Sequence, residues 1–333
     1  MSDNFAQSTT VKCIMCTAKN TMEVKERKLE QLAPGHVRLK TEFSMVSTGT
    51  ELHRIMDTHT VSRGYPCMTG YIAIGHVVGL GEGVKKVKLG DRVLFRFAHY
   101  AMIDAPEGQC FPVPEGVSSA DAVCTPLLSI SIRGVRAAQL ALGDPVAVFG
   151  QGVIGLFATH LAKLSGACPV IAVDPVAARR EVGRKMGADV VIDPLKEDAA
   201  KRIMELTGKG VAAAIDASAT TRIMPVLPAI TRPEGRLIVL GGVHGKVEMD
   251  LYTHFQKSNL TMVGCGSAHH TDYPYDGDDA NFAAILKMMQ AGMVRPGPVI
   301  SHCAPYTEGP EVFRLLIEEK DKAIGVQFDW RKA

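Results

Sequence analysis

The chain has little of what marks nucleic-acid-binding, exported or membrane proteins. Its 37 basic and 35 acidic residues nearly cancel to a net charge of +2, which excludes a large basic surface for nucleic acid. The first ten residues, MSDNFAQSTT, are polar and lack the order of a signal peptide. The most apolar stretch, 145–173, is interrupted by Gln151, His160 and Lys163. We therefore expect a cytoplasmic protein with no membrane or nucleic-acid partner and a flexible tail over residues 1–10.

Cysteine spacing gives little support for a metal site or a disulfide framework. Eight cysteines are scattered through 333 residues without an export signal, which favours free thiols. The CxxC of Cys13 and Cys16 lies in a segment with a β-strand pattern, where residues three apart point to opposite faces. No second CxxC follows it. A structural role is therefore favoured for this pair over a metal or redox role.

The apolar pattern divides the chain into two predicted domains of an α/β protein. Short strands and turns over about residues 11–93 are typical of antiparallel β structure. After residue 118 a long apolar helix is predicted, and near-continuous apolar strands then alternate with helices, as in a doubly wound parallel sheet. The end of the chain predicts a strand, a helix and a strand that return to the first domain. We assign 11–122 and 296–333 to the mainly-β domain and 123–295 to the doubly wound domain.

A glycine-rich turn between a predicted strand and a predicted helix indicates a dinucleotide site. The strand VAVF leads directly into GQGVIG, which has the GxGxxG pattern. Gly150 permits the tight turn, Gly152 lets the backbone approach a pyrophosphate, and Gly155 lets the helix pack on the strand. The amides at the start of that helix, at Val153 and Ile154, then face the phosphates. The pattern alone is also compatible with a plain glycine-rich turn.

An acidic residue after the next predicted strand bears on cofactor choice. Asp174 stands 19 residues beyond Gly155, where a carboxylate accepts hydrogen bonds from ribose hydroxyls and repels a 2′-phosphate. Arg179 and Arg180 follow about a turn later and weaken this preference. We therefore predict NAD as the cofactor, with NADP as the alternative.

The order of the segments resembles the medium-chain dehydrogenase/reductase superfamily over nearly the whole chain. The segments are VVGLGEGVKKVKLGDRV, TPLLSISIRGV, GDPVAVFGQGVIGLFATHLAKLSGA, MGADVVIDP, GRLIVLGG and the terminal helix. The resemblance implies a GroES-like catalytic domain, a Rossmann domain and an NAD(P)-dependent oxidoreductase. It also implies a homodimer through sheet edges near Val294–Ser301. It places Ser218 beside the cofactor and the backbone of Gly241 and Val243 near the nicotinamide carboxamide.

The zinc ligands of the superfamily are replaced in this chain. Zinc-bearing members have a Cys-Gly-Ser/Thr-Asp stretch and a later Gly-His-Glu. Here Thr48 stands for the cysteine, Tyr71 for the histidine and Ile72 for the glutamate. The helix that usually supplies the third ligand carries Thr125 and Ser129. Hydroxyl, phenol and aliphatic groups do not form a typical zinc site, so no metal is predicted.

The Ser-Thr-Gly-Thr-Glu string, residues 47–51, resembles a zinc-less branch that includes the hydroxyethyl bacteriochlorophyllide dehydrogenase. The resemblance to the superfamily implies that Thr50 relays the substrate proton and that His53 passes it to solvent. Tyr71, which stands in place of a metal ligand, is expected to donate to the carbonyl. Ile72 departs from the pattern of that branch. The alternatives are a helix-capping role for Thr50, a surface histidine at 53 and a packing role for Tyr71.

Four further residues are assigned to the substrate. Thr48 and Phe95 are expected to line the cleft, and His269 and His270 lie in a loop rich in His, Tyr and Asp that we place at its mouth. Adjacent histidines with nearby acids also suggest a metal, but adjacency is a poor ligand spacing.

Three functions remain open at this point. The leading hypothesis is a zinc-independent dehydrogenase that transfers hydride between nicotinamide and a secondary alcohol or ketone. The second is an enone or quinone-type C=C reductase, which also needs no metal. The third is a dinucleotide-binding protein without catalysis. Thr50 and His53 favour the first, because a proton relay suits an alcohol.

Overall fold

The computed structural model describes residues 10–58, 64–266 and 278–332. The strands in these ranges are β1 Thr10–Ala18, β2 Thr21–Lys28, β3 His36–Met45, β4 Cys67–Met68, β5 Ala73–Leu80, β6 Arg92–Phe95, β7 Met102–Pro106, β8 Cys110–Pro112, β9 Val146–Phe149, β10 Val170–Val173, β11 Val190–Ile192, β12 Val211–Asp216, β13 Thr231–Val239, β14 Thr261–Gly264, β15 Ile300–Pro305 and β16 Gly325–Asp329.

The α-helices of the same ranges alternate with strands in the middle of the chain. They are α1 Thr48–Ile55, α2 Ser119–Ala122, α3 Thr125–Ala137, α4 Val153–Leu164, α5 Ala177–Lys185, α6 Ala199–Thr207, α7 Val226–Ile230, α8 Asp278–Gln290 and α9 Gly309–Glu318. Among the described helices, none is both long and apolar enough to cross a membrane.

Two compact units make up the chain. The first runs to Thr125 and resumes at Ile300, and the second is Pro126–Val299. The first unit contains a seven-stranded sheet in the order β15-β16-β3-β5-β6-β8, with β7 on β3, and a three-stranded sheet in the order β2-β1-β4. Its strands are mostly antiparallel, as predicted, and β16 pairs with β3, so the terminal segment does return to the first sheet.

The second unit is a parallel sheet with helices between its strands. The strand order is β11-β10-β9-β12-β13-β14, the order of a Rossmann fold. The central strands β9, β10 and β12 are buried along their whole length, which explains why their sequences are continuously apolar. The α/β class and this doubly wound topology confirm the fold predicted from the sequence.

The long helix predicted after residue 118 is instead two helices, α2 and α3. Pro126 is the second residue of α3, a position in the first turn where a missing N–H costs nothing. In the interior of one continuous helix the same proline would remove a hydrogen bond and clash with the preceding turn. The helical spacing of the apolar residues therefore predicted helix correctly, but it did not predict the break between α2 and α3.

The two cysteines of the CxxC lie on opposite faces of β1, as the strand pattern predicts. Cys13 is buried in a hydrophobic cluster with Val37 and Phe95, whereas Cys16 is buried in another cluster with Phe313 and Phe328. All eight cysteines are free thiols in this structure.

Candidate active site

Two glycines of the GQGVIG turn are required by close backbone contacts. Gly150 has φ +85°, and a Cβ built there would lie 2.6 Å from the Cα of Ser218. A Cβ built at Gly155 would lie 1.7 Å from the carbonyl oxygen of Gly150. The first contact fixes the turn between β9 and α4, and the second brings α4 down onto it.

Gly152 is different, because the space in front of it is open. A Cβ built there would meet no described atom within 4 Å, and φ is −72°, which any residue adopts. Gly152 is also the N-cap of α4, and no described side chain caps this helix end. The first amides of α4, at Val153 and Ile154, therefore point at a cradle of the kind that holds a pyrophosphate. A dinucleotide fits these residues.

Asp174 ties the glycine turn to the neighbouring strand. Its side chain is 3% exposed, with Oδ2 accepting from the Gln151 amide at 2.7 Å and Oδ1 from the Val176 amide at 2.8 Å. A carboxylate has about four lone-pair sites, so both oxygens keep capacity for a further donor. The ribose contact stays a prediction, and the contact with the turn is a role that the sequence did not indicate.

The two arginines after Asp174 differ in their surroundings. Arg180 donates to the Asp174 carbonyl at 2.7 Å and pairs with Asp193 at 2.8 Å, so its guanidinium is committed to the protein. Arg179 precedes it in the first turn of α5 and is half-buried. Its contact with a cofactor stays a prediction.

The carboxyl ends of β9, β12 and β13 bring together the other predicted cofactor residues. Ser218 lies against Gly150, and a Cβ at Gly241 would lie 2.8 Å from the amide nitrogen of Ala219. The Gly241 carbonyl accepts from the Val243 amide at 2.9 Å. In an open parallel sheet, ligands bind at this edge.

Asp216 is a buried acid at the same edge that sequence reasoning missed. Its side chain is 0% exposed; Oδ1 accepts from the Ser218 amide at 2.8 Å and hydroxyl at 2.5 Å. Oδ2 has no hydrogen-bond partner among the described residues, and burial raises the pKa of this carboxyl. The sequence signal that could have identified Asp216 is its place as a single acidic residue at the end of the apolar run VAAAI.

In the first unit, the start of α1 brings Tyr71 and Thr50 together. The Tyr71 hydroxyl donates to Ser47 Oγ at 2.8 Å, and Thr50 is within hydrogen-bonding reach of the same phenol. Burial raises the pKa of Tyr71; the Glu51 carboxylate also raises it, and the hydrogen bonds with Ser47 and Thr50 lower it. The phenol therefore keeps its proton at neutral pH.

The capping alternative for Thr50 is wrong. The N-cap of α1 is Ser47, and Thr50 is the third helical residue with an exposed position. His53 lies one turn further along and is half-exposed, and its Nδ1 is 2.8 Å from the Thr58 hydroxyl. Residues three apart share a helix face, so Thr50 and His53 lie on one side of α1.

The predicted substrate residues have mixed placements. Thr48 is the first residue of α1 and is half-buried. Phe95 is 1% exposed within the hydrophobic core around Val93 and Tyr100, so its assignment to a cleft is wrong: it packs the sheet. His269 and His270 lie outside the described residues.

A buried hydrogen-bonded pair beside α1 was also missed. Glu51 and His99 are 1% and 0% exposed, and Glu51 Oε2 lies 3.0 Å from His99 Nε2. Glu51 was visible in the motif, but its partner stands 48 residues away along the chain. No local pattern around His99 indicated the contact.

The side chains at the expected zinc positions do not fit the metal. Thr48 offers a hydroxyl, the Tyr71 phenol is bonded to Ser47, and Ile72 is a buried aliphatic residue. Zinc requires thiolate, imidazole or carboxylate ligands. Within the described ranges, no group of three or more His, Cys, Asp or Glu side chains could hold a metal ion.

Comparison with known proteins gives the family. Residues 33–161 match the family described as alcohol dehydrogenase GroES-like domain, and residues 153–279 match the family described as zinc-binding dehydrogenase. The chain is 36% identical over 275 residues to D-guloside 3-dehydrogenase of Escherichia coli K12, covering 78% of this chain and 77% of that protein. It belongs to the zinc-type medium-chain dehydrogenase/reductase superfamily.

Other members of the superfamily match along most of the chain. L-threonine 3-dehydrogenase of Pyrococcus horikoshii is 28% identical over 332 residues, covering 88% of this chain and 91% of that protein. A solved structure described as a short chain alcohol dehydrogenase of Escherichia coli CFT073, complexed with NADH, superposes with a TM-score of 0.85 at 19% identity, covering 96% of this chain and 99% of the other. This last likeness is one of fold. As a medium-chain dehydrogenase, the protein is an NAD(P)-dependent oxidoreductase of the alcohol dehydrogenase type.

Proposed function

We propose that the protein is a zinc-independent dehydrogenase that uses NAD to oxidise a secondary alcohol, or to reduce the corresponding ketone. The observation that carries the proposal is the half-buried phenol of Tyr71, hydrogen-bonded to Ser47 at a position where zinc-bearing relatives have a histidine ligand. Without a Lewis acid, a positioned proton donor must stabilise the charge on the substrate oxygen. Tyr71 and Thr50 supply two such hydroxyls side by side.

The proposed chemistry assigns one step to each group. A bound nicotinamide supplies the hydride acceptor or donor. Because burial raises its pKa, Tyr71 keeps its proton, which turns from Ser47 Oγ to the substrate oxygen when the substrate binds. The Ser47 hydroxyl can then donate to the phenol oxygen. Thr50 relays the hydroxyl proton, and half-exposed His53 on the same face of α1 passes it to solvent.

NAD is favoured over NADP by the carboxylate of Asp174. In the ribose-binding position this carboxylate accepts hydrogen bonds from the ribose hydroxyls and repels the extra phosphate of NADP. Arg180, which could otherwise attract that phosphate, is already held by Asp193 and the Asp174 carbonyl.

The first test is metal analysis of the purified protein together with NADH and NADPH titrations and a substrate panel. The panel begins with glycosides and hydroxy amino acids, because two relatives are named as 3-dehydrogenases of a guloside and of threonine. Metal-free protein that oxidises an alcohol supports the proposal. Stoichiometric zinc, or turnover of enones alone, rejects it. NADH binding without any turnover indicates a non-catalytic protein.

Substitution of Tyr71 tests the proton donor. Tyr71→Phe removes one hydroxyl and should lower kcat by about 100-fold, the usual contribution of a positioned acid or base. NADH affinity should stay within twofold. Tyr65→Phe is the matched control, because the Tyr65 phenol donates to the Ile55 carbonyl at 2.9 Å and has no proposed role. An equal effect of the two substitutions on kcat would exclude Tyr71 as the donor.

Substitution of His53 tests the proton outlet. His53→Ala should slow alcohol oxidation most at low pH, where release of the substrate proton to solvent is hardest. The measurement is the pH profile of kcat, with His36→Ala as the control at another exposed histidine. A profile parallel to that of the wild type would leave His53 as a surface residue.

A further inference from the structure

A row of buried hydrogen bonds lies behind the start of α1. Trp330 Nε1 donates to Ser44 Oγ at 2.8 Å, and Ser44 Oγ lies 2.7 Å from His99 Nδ1. On the other side of the ring, His99 Nε2 lies 3.0 Å from Glu51 Oε2. All four side chains are buried. A fully buried carboxylate is costly unless each of its oxygens is satisfied, so this arrangement needs a reason.

The partners assign the protons along this row. The indole N–H of Trp330 can only donate, so Ser44 Oγ accepts it. Ser44 Oγ also lies in hydrogen-bonding contact with His99 Nδ1, and a hydroxyl with one hydrogen and two lone pairs can serve either role there. The Glu51 carboxylate can only accept, so the proton facing it is on His99 Nε2, and this N–H donates to Glu51 Oε2.

The other oxygen of Glu51 leads to the catalytic phenol. Glu51 Oε1 accepts from the Ser47 amide at 2.7 Å, and Ser47 Oγ accepts from the Tyr71 hydroxyl at 2.8 Å. Ser47 is thus held through its backbone by Glu51 while its side chain orients the phenol. Glu51 lies in the first turn of α1, where the helix dipole favours a negative charge.

A second contact connects His99 to the residue before Tyr71. Gly70 has φ +85°, and a Cβ there would lie 2.7 Å from His99 Nε2. The imidazole is also held edge-on by Phe328 and Phe313, with ring centroids 5.3 and 6.0 Å away. The ring therefore packs directly on the turn that presents Tyr71.

We propose that His99 is a positioning residue, which orients the Tyr71 phenol for the dehydrogenase reaction through Glu51 and Ser47. The catalytic consequence of this proposal rests on the proposed function. The chain of contacts does not, and it can be tested without substrate. His99 acts through Tyr71, so its effect must disappear when the phenol is absent.

The kinetic test is a double-mutant cycle in the full-length enzyme. His99→Asn and Glu51→Gln should each lower kcat about 10-fold, with NADH affinity unchanged. In the Tyr71→Phe background, the same substitutions should lower kcat less than twofold further. His76→Asn, at a histidine outside this row, is the matched control and should leave kcat unchanged. Equal losses in both backgrounds would show a merely structural role and overturn the proposal.

Hydrogen exchange tests the contacts independently of turnover. In His99→Asn and Glu51→Gln, the Ser47 amide should exchange at least about tenfold faster than in the wild type, because its acceptor is displaced or weakened. Two variants are used so that failure of one to fold does not end the test. Unchanged exchange in the folded variants would refute the positioning role. Faster exchange with no effect of Tyr71→Phe on turnover would keep the contact chain and reject the proposed function.

Discussion

Asp174 binds the protein's own glycine turn, and this decides how its substitution is to be interpreted. Its carboxylate accepts from the amides of Gln151 and Val176, so removing it disturbs the glycine turn, which is the predicted pyrophosphate site for either dinucleotide. Loss of the turn contact lowers the affinity for NADH and NADPH alike. Only loss of the predicted ribose contact would change the ratio of the two affinities.

We expect Asp174→Ala to weaken NADH more than NADPH, so that the NADPH-to-NADH Kd ratio falls about tenfold, the loss of one charged hydrogen bond. Fluorescence titration with both reduced cofactors measures it. Asp198→Ala removes a carboxylate that caps α6 by accepting from the Lys201 amide, and it serves as the control. Parallel losses for both cofactors would remove the argument for NAD.

Burial also distinguishes two aromatic residues, Phe95 and Tyr71, that have the same pattern in the sequence. Phe95 and Tyr71 were both assigned to the site, but Phe95 is 1% exposed in the sheet core, whereas the Tyr71 hydroxyl is bonded to Ser47. An aromatic residue in a β pattern has the same local sequence signal in either role. Only its packing neighbours distinguish the two.

At the scale of elements, the β9–turn–α4 segment works because its three glycines meet different surroundings. Gly155 faces the carbonyl oxygen of Gly150, so the space is closed by backbone. Gly152 faces open space at the N-terminus of α4. The same change, glycine to alanine, should therefore damage folding at one position and ligand binding at the other.

Gly155→Ala should destabilise the protein by about 3 kcal/mol, because neither the helix nor the turn can move cheaply. Gly152→Ala should change stability by less than about 1 kcal/mol but weaken NADH at least tenfold. Urea unfolding and NADH titration of both variants measure the contrast. Tight NADH binding by a folded Gly152→Ala protein would show that the pyrophosphate lies elsewhere.

At the scale of the whole molecule, the first unit is completed by the end of the chain. Strand β16 lies between β15 and β3, and all five of its residues are buried. Asp329 closes this strand and bonds to the Arg331 guanidinium through both carboxylate oxygens, each at 2.9 Å. These hydrogen bonds, with Lys332 nearby, hold the pKa of Asp329 below its usual range.

A lowered pKa makes the stabilisation by this contact depend on pH. Because the folded-state pKa of Asp329 is below the unfolded value of about 3.9, the contact stabilises fully above that value and is lost as pH falls through the folded pKa. Arg331→Gln should therefore cost about 0.5–1 kcal/mol at pH 7, since half of the arginine side chain is exposed and screened. The difference from the wild type should shrink below about pH 4.

Urea unfolding followed by fluorescence of the single tryptophan, Trp330, checks this pH dependence. A residual difference at low pH is expected from the stacking of Arg331 on Phe43, at 4.4 Å from the ring centroid. Lys332→Gln is the control, because its ammonium is 3.7 Å from the same carboxylate and more exposed. A constant difference from pH 3 to 7 would contradict the ionic contribution.

The amino-acid sequence by itself determined the fold class, the strand–turn–helix dinucleotide motif and the superfamily. These depend on contiguous residues: the apolar strands around Gly150–Gly155 and the spacing to Asp174 are local patterns that survive without knowledge of tertiary contacts. The substitutions at Thr48 and Tyr71 were likewise visible in short motifs.

Only the tertiary structure decided which side chains meet at the start of α1. Glu51 and His99 stand 48 residues apart, and Ser44 and Trp330 stand 286 apart. Pairing of β3 with β16 brings Trp330 to Ser44, and backbone hydrogen bonds of His99 with Ile14 and Thr69 hold the imidazole beside them. Hydrogen bonds between residues so distant follow from strand register and packing, which no local period in the sequence encodes.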